Sequence, residues 1–456
     1  MLHFSFIVSL CLGWINFQIT KKEYLHPSNI FYIVFIIAQF FNILVQEYYG
    51  IVFNDSMVFI LLSSMGIFTI ITSISNKIFI SKNKVYYNNK KIIHFNQWTS
   101  YLIIGIQLFT ILYFYRFLSD LFLASHGYQG NLPELINNYD QILKFNSKLA
   151  AELNISPGKI YYYLKSFTDA IGYIALYLVI REYLLTKQIN KINLLMVVNF
   201  IVFVLMQGSR SPLFKLITAG IMMWYFLYLR INKRKISVKF IIRIINVLIL
   251  VIPVSILFLY LSGRMGDDSQ IDWIQYLFIY IGAPLLNLNN FLETNGMMLP
   301  ISTYFGEQTF YGLYVIIAKI LGNSNLNIVY IIGADSWQST STGIDTGNVL
   351  TTFYPFVYDF GILGSLPIII LIASYYIFTH RKLLNNNNDN LIDFSLFMYA
   401  YLINDLIMLI FSNRFFETIL STDYIRFFLF SWFLIKYINK QSIKSLIKPI
   451  LKMLLM

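Results

Sequence analysis

Charge is what this 456-residue chain has least of. It carries 34 Lys and Arg and 22 Asp and Glu, 12% of its residues, about half of the roughly 25% usual in soluble domains. Apolar residues make up 57% and aromatic ones 18%. A soluble fold of this size needs more polar surface than that to cover its core, and disorder requires the opposite composition. Cysteine is nearly absent too. Cys11 stands alone in the first apolar stretch, which excludes an intrachain disulfide and a cysteine-based metal cluster. Of the five histidines, His3, His26, His94 and His380 fall in the first span or on inner connections. Only His126 is placed outside, too little for an external histidine metal site or a Ser/His/Asp triad. No Gly-Lys-Ser phosphate loop is present, so ATP is not the expected energy source. The apolar stretch 2–19 lacks the positive n-region of a cleavable signal. Its charges, Lys21 and Lys22, come after it, an order that favours an uncleaved span with the N-terminus outside.

What is present is a series of apolar runs close to the 20 residues that cross a bilayer. Eleven are expected, at 2–19, 30–46, 56–75, 98–118, 166–185, 192–208, 211–229, 241–261, 353–378, 393–412 and 424–438, giving an all-α polytopic helical bundle that forms one membrane domain over 1–456. With the N-terminus outside, the inner connections and the C-terminal tail hold 23 of the 34 basic residues, a strong positive-inside bias. The net charge of +12 is thereby explained largely by orientation, and no nucleic-acid partner is implied. In the tail 439–456, Lys440, Lys444, Lys448 and Lys452 line one face beside Ile443, Ile447 and Leu451. That pattern predicts an amphipathic helix on the inner leaflet.

Two external connections are long, 119–165 and 262–352, and long loops outside a bundle are usually functional. The first contains a helical patch over 132–153. The second contains apolar stretches at 271–292 and 309–321, read as interfacial or re-entrant helices, with a further pair of spans as the alternative. No internal repeat of the kind common in secondary transporters is visible. The basic residues also divide by type. Six of 24 lysines but five of ten arginines (Arg116, Arg210, Arg264, Arg414 and Arg426) lie outside or in spans. Arginine's planar fork suits phosphate oxygens, so the excess points to an anionic, phosphate-bearing ligand at the outer face.

Three segments carry candidate chemistry. Gly208-Ser209-Arg210-Ser211-Pro212 turns the chain between two spans. Pro212 suits a first helical turn, Ser209 or Ser211 a cap, and Lys215 follows one turn on. A helix start with hydroxyls and an arginine is an anion site; a capped turn with a snorkelling arginine is the plainer alternative. Arg264 follows the eighth span, ahead of Asp267, Asp268 and Asp272. Carboxylates in such a group can hold a divalent cation, but three in one loop are ordinarily solvated, and no metal is assigned. The stretch 335–364 is hydroxyl-rich, then aromatic, with Asn348, Tyr354 and Tyr358 suited to sugar and Asp359 inside a span. An intramembrane carboxylate is a functional candidate by default, or else pairs with an arginine. Glu307, Asp345 and Asp359 are the carboxylates considered as a general base, with Glu417 beside them, and Arg414 as a further binding residue.

Arg210 within GSRSP, Arg264 just after a span, and GNVLTTFYPFVYDFGILG leading into the next span together resemble the Wzy-type oligosaccharide repeat-unit polymerases, bacterial enzymes that assemble O-antigen and related polysaccharides. The motif-level likeness covers about 190–378. It implies a glycosyltransferase in the cytoplasmic membrane that works outside, without a cofactor. Such an enzyme moves a growing glycan from undecaprenyl diphosphate onto the sugar of an incoming lipid-linked unit. It further implies that Arg210 and Arg264 hold the donor diphosphate, and that membrane lipid, a flippase and a chain-length regulator are partners. An O-antigen ligase-like or other lipid-linked glycosyltransferase, and then a lipid-linked oligosaccharide flippase, remain as alternatives. The ligases are thought to use an outer histidine late in the chain, and none stands there here.

Overall fold

The computed structural model describes residues 1–79, 97–145, 156–209, 211–232, 277–296, 299–322, 338–339, 345–385 and 392–439. In chain order these form α1 (Leu2–Ile19), α2 (Pro27–Leu44), α3 (Asp55–Ile78), α4 (Gln97–His126), α5 (Leu132–Phe145), α6 (Gly158–Thr186), α7 (Lys191–Met206) and α8 (Ser211–Asn232). After a π-helical turn come α9 (Ala283–Asn295), α10 (Tyr311–Leu321), the hairpin β1 (Gln338–Ser339) and β2 (Asp345–Gly347), α11 (Phe353–Leu384), α12 (Phe394–Ile407), α13 (Arg414–Ile419) and α14 (Thr422–Ile438).

Seven of these helices, α1 to α4, α6, α8 and α11, are long and apolar enough to cross a membrane, and each overlies one of the eleven expected spans. The shorter α7, α12 and α14 overlie three more. The eleventh, 241–261, lies outside the described residues, as does the tail from 440. The burial pattern is that of a lipid-embedded protein. On α1 the polar Ser5, Ser9 and Asn16 are fully buried, while Phe4 and Trp14 are 56% and 65% exposed. Water would reverse that arrangement; hydrocarbon requires it, because polar groups have no other partner there.

The spans extend further than hydropathy implied. α4 runs to His126 and α6 begins at Gly158, so the first long connection shrinks from 119–165 to 127–157. The cause is elementary: a helix satisfies its own backbone whatever its side chains, so Lys159 and Lys165 ride on α6 although they end the apolar run. Of the patch 132–153, α5 is the described part. From the two stretches in the second connection come the helices α9 and α10.

The chain divides into two compact units, a subdivision for which hydropathy carries no signal. The first comprises 1–84, 270–385 and 402–422. Its α1–α2 hairpin is closed by Gln39 Nε2 donating to Ser9 Oγ (3.0 Å) and Asn16 Nδ2 to Asn29 Oδ1 (2.6 Å) and Ser28 Oγ (2.9 Å), bonds of roughly 0.6 kcal/mol each inside a membrane. Helix α11 packs along α3 and α2. At its C-terminal end His380 donates to Glu23 (2.6 Å), and Arg381 bonds Glu23 (3.4 Å) and Asn76 (2.5 Å). Burial opposes ionisation of Glu23, but His380 and Arg381 outweigh it and hold the carboxyl well below its usual range. Burial and the neighbouring His380 push His26 down, keeping it neutral.

The second unit comprises 85–269, 386–401 and 423–456. There α6 packs against α4, α7 and α8. Helix α5 opens with a capping box: Glu134 N donates to Asn131 Oδ1 (3.1 Å) and Asn131 N to Glu134 Oε2 (2.9 Å), each satisfying an orphan amide. Its apolar face, Leu135 and Ile142, packs on Phe114, Leu118, Tyr161 and Phe203. Helix α5 is thereby laid over the ends of α4, α6 and α7. A buried ion pair joins Arg230 to Asp393 (2.8 Å), whose other oxygen caps α12 through Ser395 N and Leu396 N.

Candidate functional site

The expected site residues fall into two groups, one in each unit, and two lie outside the described residues: Arg210 and Arg264, the latter with Asp267, Asp268 and Asp272.

In the first unit, Glu307, Asp359, Tyr354, Tyr358 and Arg414 come together around a break in α11. Gly361 sits at φ 68° and ψ 179° inside the helix, a conformation open to glycine and strained for other residues. The carbonyls this releases are taken up locally. Ile301 N donates to Tyr358 O (2.9 Å) and Ser302 Oγ to Asp359 O (3.2 Å). The Asp359 carboxylate accepts from Gln308 N on both oxygens (3.2 Å each) and from Thr309 N (2.6 Å), closing the turn that leads into α10. Asp359 thus pairs with backbone amides rather than with an arginine, the structural alternative considered for it. Glu307 Oε2 accepts from Tyr304 N (2.9 Å) within the same turn, and Asn413 Nδ2 donates to Thr309 O (2.8 Å). Arg414 pairs with Glu417 (3.2 Å), and the Tyr354 and Tyr358 rings lie 6.1 Å apart. Asn348 follows β2, to which Asp345 contributes its backbone.

The second unit gathers a different set. Ser209 and Ser211 flank the turn, Ser211 exposed at the start of α8. Gly208, at φ 65°, lies so close to α5 that a Cβ would stand 3.3 Å from Ile136 O and Asp140 Cβ; α5 therefore sits directly upon the GSRSP turn. One turn into α8, Lys215 Nζ lies 4.0 Å from the centre of the Tyr401 ring, a cation–π geometry. Lys215 is within electrostatic reach of Asp169 on α6. Asp169 accepts from Lys165 (3.3 Å), which also reaches Asp423 at the start of α14 (3.3 Å). Asp423 bonds Arg426 in turn, and the Arg426 guanidinium lies 5.6 Å and 5.8 Å from the Tyr162 and Tyr163 rings. Tyr139 of α5 closes over this group, within electrostatic reach of Lys165 and Asp423; burial raises its hydroxyl to about 12, so it stays neutral.

The arrangement is three cations and two carboxylates at the N-terminal parts of α6, α8 and α14, framed by tyrosines. The N-terminus of α14 adds positive potential at Asp423, which lies in its first turn. This is the end that the charge count assigns to the outer face. Lys165 and Asp423 were missed because hydropathy began α6 and α14 one residue too late to include them, at 166 and 424, whereas Asp169 lies inside the expected span 166–185. The available signal was spacing: Lys165 and Asp169 stand four apart and Asp423 and Arg426 three apart, and pairs so spaced face each other on a helix.

The fold defines a class, an all-α multi-pass membrane protein. Comparison with protein-family models, with curated proteins and with solved structures gave no match.

Proposed function

We propose that the chain is a polysaccharide polymerase of the Wzy type, which transfers a growing glycan from undecaprenyl diphosphate to the sugar of an incoming lipid-linked repeat unit. The observation that carries this reading is the net-positive, tyrosine-framed cluster of Lys165, Asp169, Lys215, Asp423 and Arg426 beside the GSRSP turn and under α5. Cations suit a diphosphate, aromatic faces suit sugar rings, and both lie where a lipid-anchored donor can arrive from the bilayer. Lys215, Arg426 and, by the family resemblance, Arg210 and Arg264 bind the diphosphate and stabilise the charge that develops as it leaves, commonly a large catalytic term. The bond broken, sugar to diphosphate, supplies the energy. The enzyme then works at the outer face of a bacterial cytoplasmic membrane, with its N-terminus outside and its C-terminus inside.

A flippase or transporter is the second reading, favoured by the broken helix α11, since discontinuous helices often hold substrate in transporters. At this break, however, Tyr358 O, Asp359 O and the Asp359 carboxylate are all occupied by protein donors, which leaves little to bind cargo.

Deletion of the gene followed by a sugar ladder separates the readings. Surface lipid carrying one repeat unit is the result expected. Long chains left on the carrier would mean a ligase, and units trapped on the inner face a flippase. Arg210→Lys should cut polymer sharply at unchanged protein level, because lysine cannot reproduce the guanidinium fork; full-length polymer from that variant would remove Arg210 from the donor site.

A further inference from the structure

We infer that Asp169 is the general base that takes the proton from the acceptor hydroxyl, an inference that rests on the polymerase reading. A base for this step needs an ionised carboxylate with an open oxygen, close to the cations that hold the donor's diphosphate. The described carboxylates differ sharply on that requirement. Asp359 has both oxygens on backbone amides. Asp423 has one oxygen on Lys165 and the other on Arg426. Asp393 is shared between Arg230 and the start of α12. Asp140 is enclosed against Gly208 at 3% exposure. Asp169 alone of these five combines a single held oxygen, Oδ2 on Lys165, with a second that no described residue bonds and a side chain 21% exposed. It lies eleven residues into α6, about 16 Å from the helix start.

In the step assigned to it, the acceptor oxygen attacks the anomeric carbon of the donor and its proton passes to Asp169 Oδ1. The bond from anomeric carbon to phosphate oxygen breaks, and undecaprenyl diphosphate leaves with the electron pair. Lys165 holds Asp169 in place through the opposite oxygen, and Lys215 stands within electrostatic reach. The charged and titratable groups that face Asp169 are Lys165 and Tyr161 on its own helix, Lys215 on α8 and Asp423 on α14, with Arg426 and Tyr139 one step beyond.

The test uses the full-length protein in liposomes with lipid-linked repeat units extracted from the deletion strain. Asp169→Asn should slow chain extension about 100-fold or more, with the acid limb of the pH–rate profile lost from the residual activity. Asp169→Glu, which keeps the carboxylate but moves it, should retain part of the rate and the limb. Asp423→Asn removes a partner of the same Lys165 and serves as comparator, with a loss of about tenfold. Equal losses and unchanged acid limbs in Asp169→Asn and Asp423→Asn would mean that Asp169 is only half of an ion pair and overturn the inference. Wild-type rate from Asp169→Asn would overturn it as well. If Asp169→Asn is not recovered folded, Asp169→Glu decides: an unaltered rate and limb count against a base. A wild-type protein that extends nothing would overturn the polymerase reading and this inference together, whereas loss confined to the variants leaves that reading standing.

Discussion

Asp359 in the first unit and Asp169 in the second are both carboxylates inside long apolar helices, yet they are used in opposite ways. Asp359 lies at the break in α11 and accepts three contacts from the amides of Gln308 and Thr309; its charge is consumed in holding a turn. Asp169 lies on unbroken helix, held on one side by Lys165 and open on the other. An ionisable residue in a membrane helix is a reasonable functional candidate, but depth in the span does not rank one above another. The number of lone pairs left over after the protein has satisfied itself does.

That contrast can be broken by substitution. The largest effect on stability is expected at Asp393, which is saturated like Asp359 but within the second unit. Asp393→Asn removes the buried carboxylate charge that pairs with Arg230 at 2.8 Å, costing about 3–5 kcal/mol, read as a large fall in folded yield and detergent melting temperature. Asp359→Asn comes next, at roughly 1–3 kcal/mol for impaired acceptance of buried amides. It should lower the melting temperature while polymer made per folded molecule changes no more than a few-fold; a loss comparable to that of Asp169→Asn would put Asp359 back among the reacting groups. The smallest effect concerns pH. His26 is neutral in the fold, its pKa below the unfolded value of about 6.5, so the unfolded chain binds the extra proton. The stability it contributes is full above about pH 6.5 and is lost on acidification, by up to about 1.4 kcal/mol per pH unit. Thermal melts between pH 7 and 5 should show that slope, and His26→Asn should flatten it; an identical slope in the variant would refute the assignment.

Much of the fold was legible because a bilayer dictates it. Apolar runs near 20 residues gave seven helices of spanning length at the expected places, and the buried Ser5, Ser9 and Asn16 of α1 fit a helix whose apolar faces meet lipid. The ends were less legible: the helix of α6 continues through Lys159 to Lys165 on backbone hydrogen bonds alone. The break at Gly361 was hidden for the converse reason, since a glycine in an apolar run carries no sign of its φ. At the site, GSRSP and Lys215 were visible as local patterns. The partners Lys165, Asp169, Asp423 and Tyr401 were not, because α6, α12 and α14 are separated by as many as 258 residues in sequence and meet only through packing. Of the carboxylates favoured beforehand, Glu307 and Asp359 prove to be engaged in the turn before α10.

The most direct test is extension in a purified system. The full-length protein, reconstituted in liposomes, is given lipid-linked repeat units as both donor and acceptor, and glycan length and free undecaprenyl diphosphate are measured together. Glycans lengthened by whole repeat units, with one undecaprenyl diphosphate released per unit added, are the predicted result. Units that remain single, with no carrier released or with units merely moved across the bilayer, would contradict it.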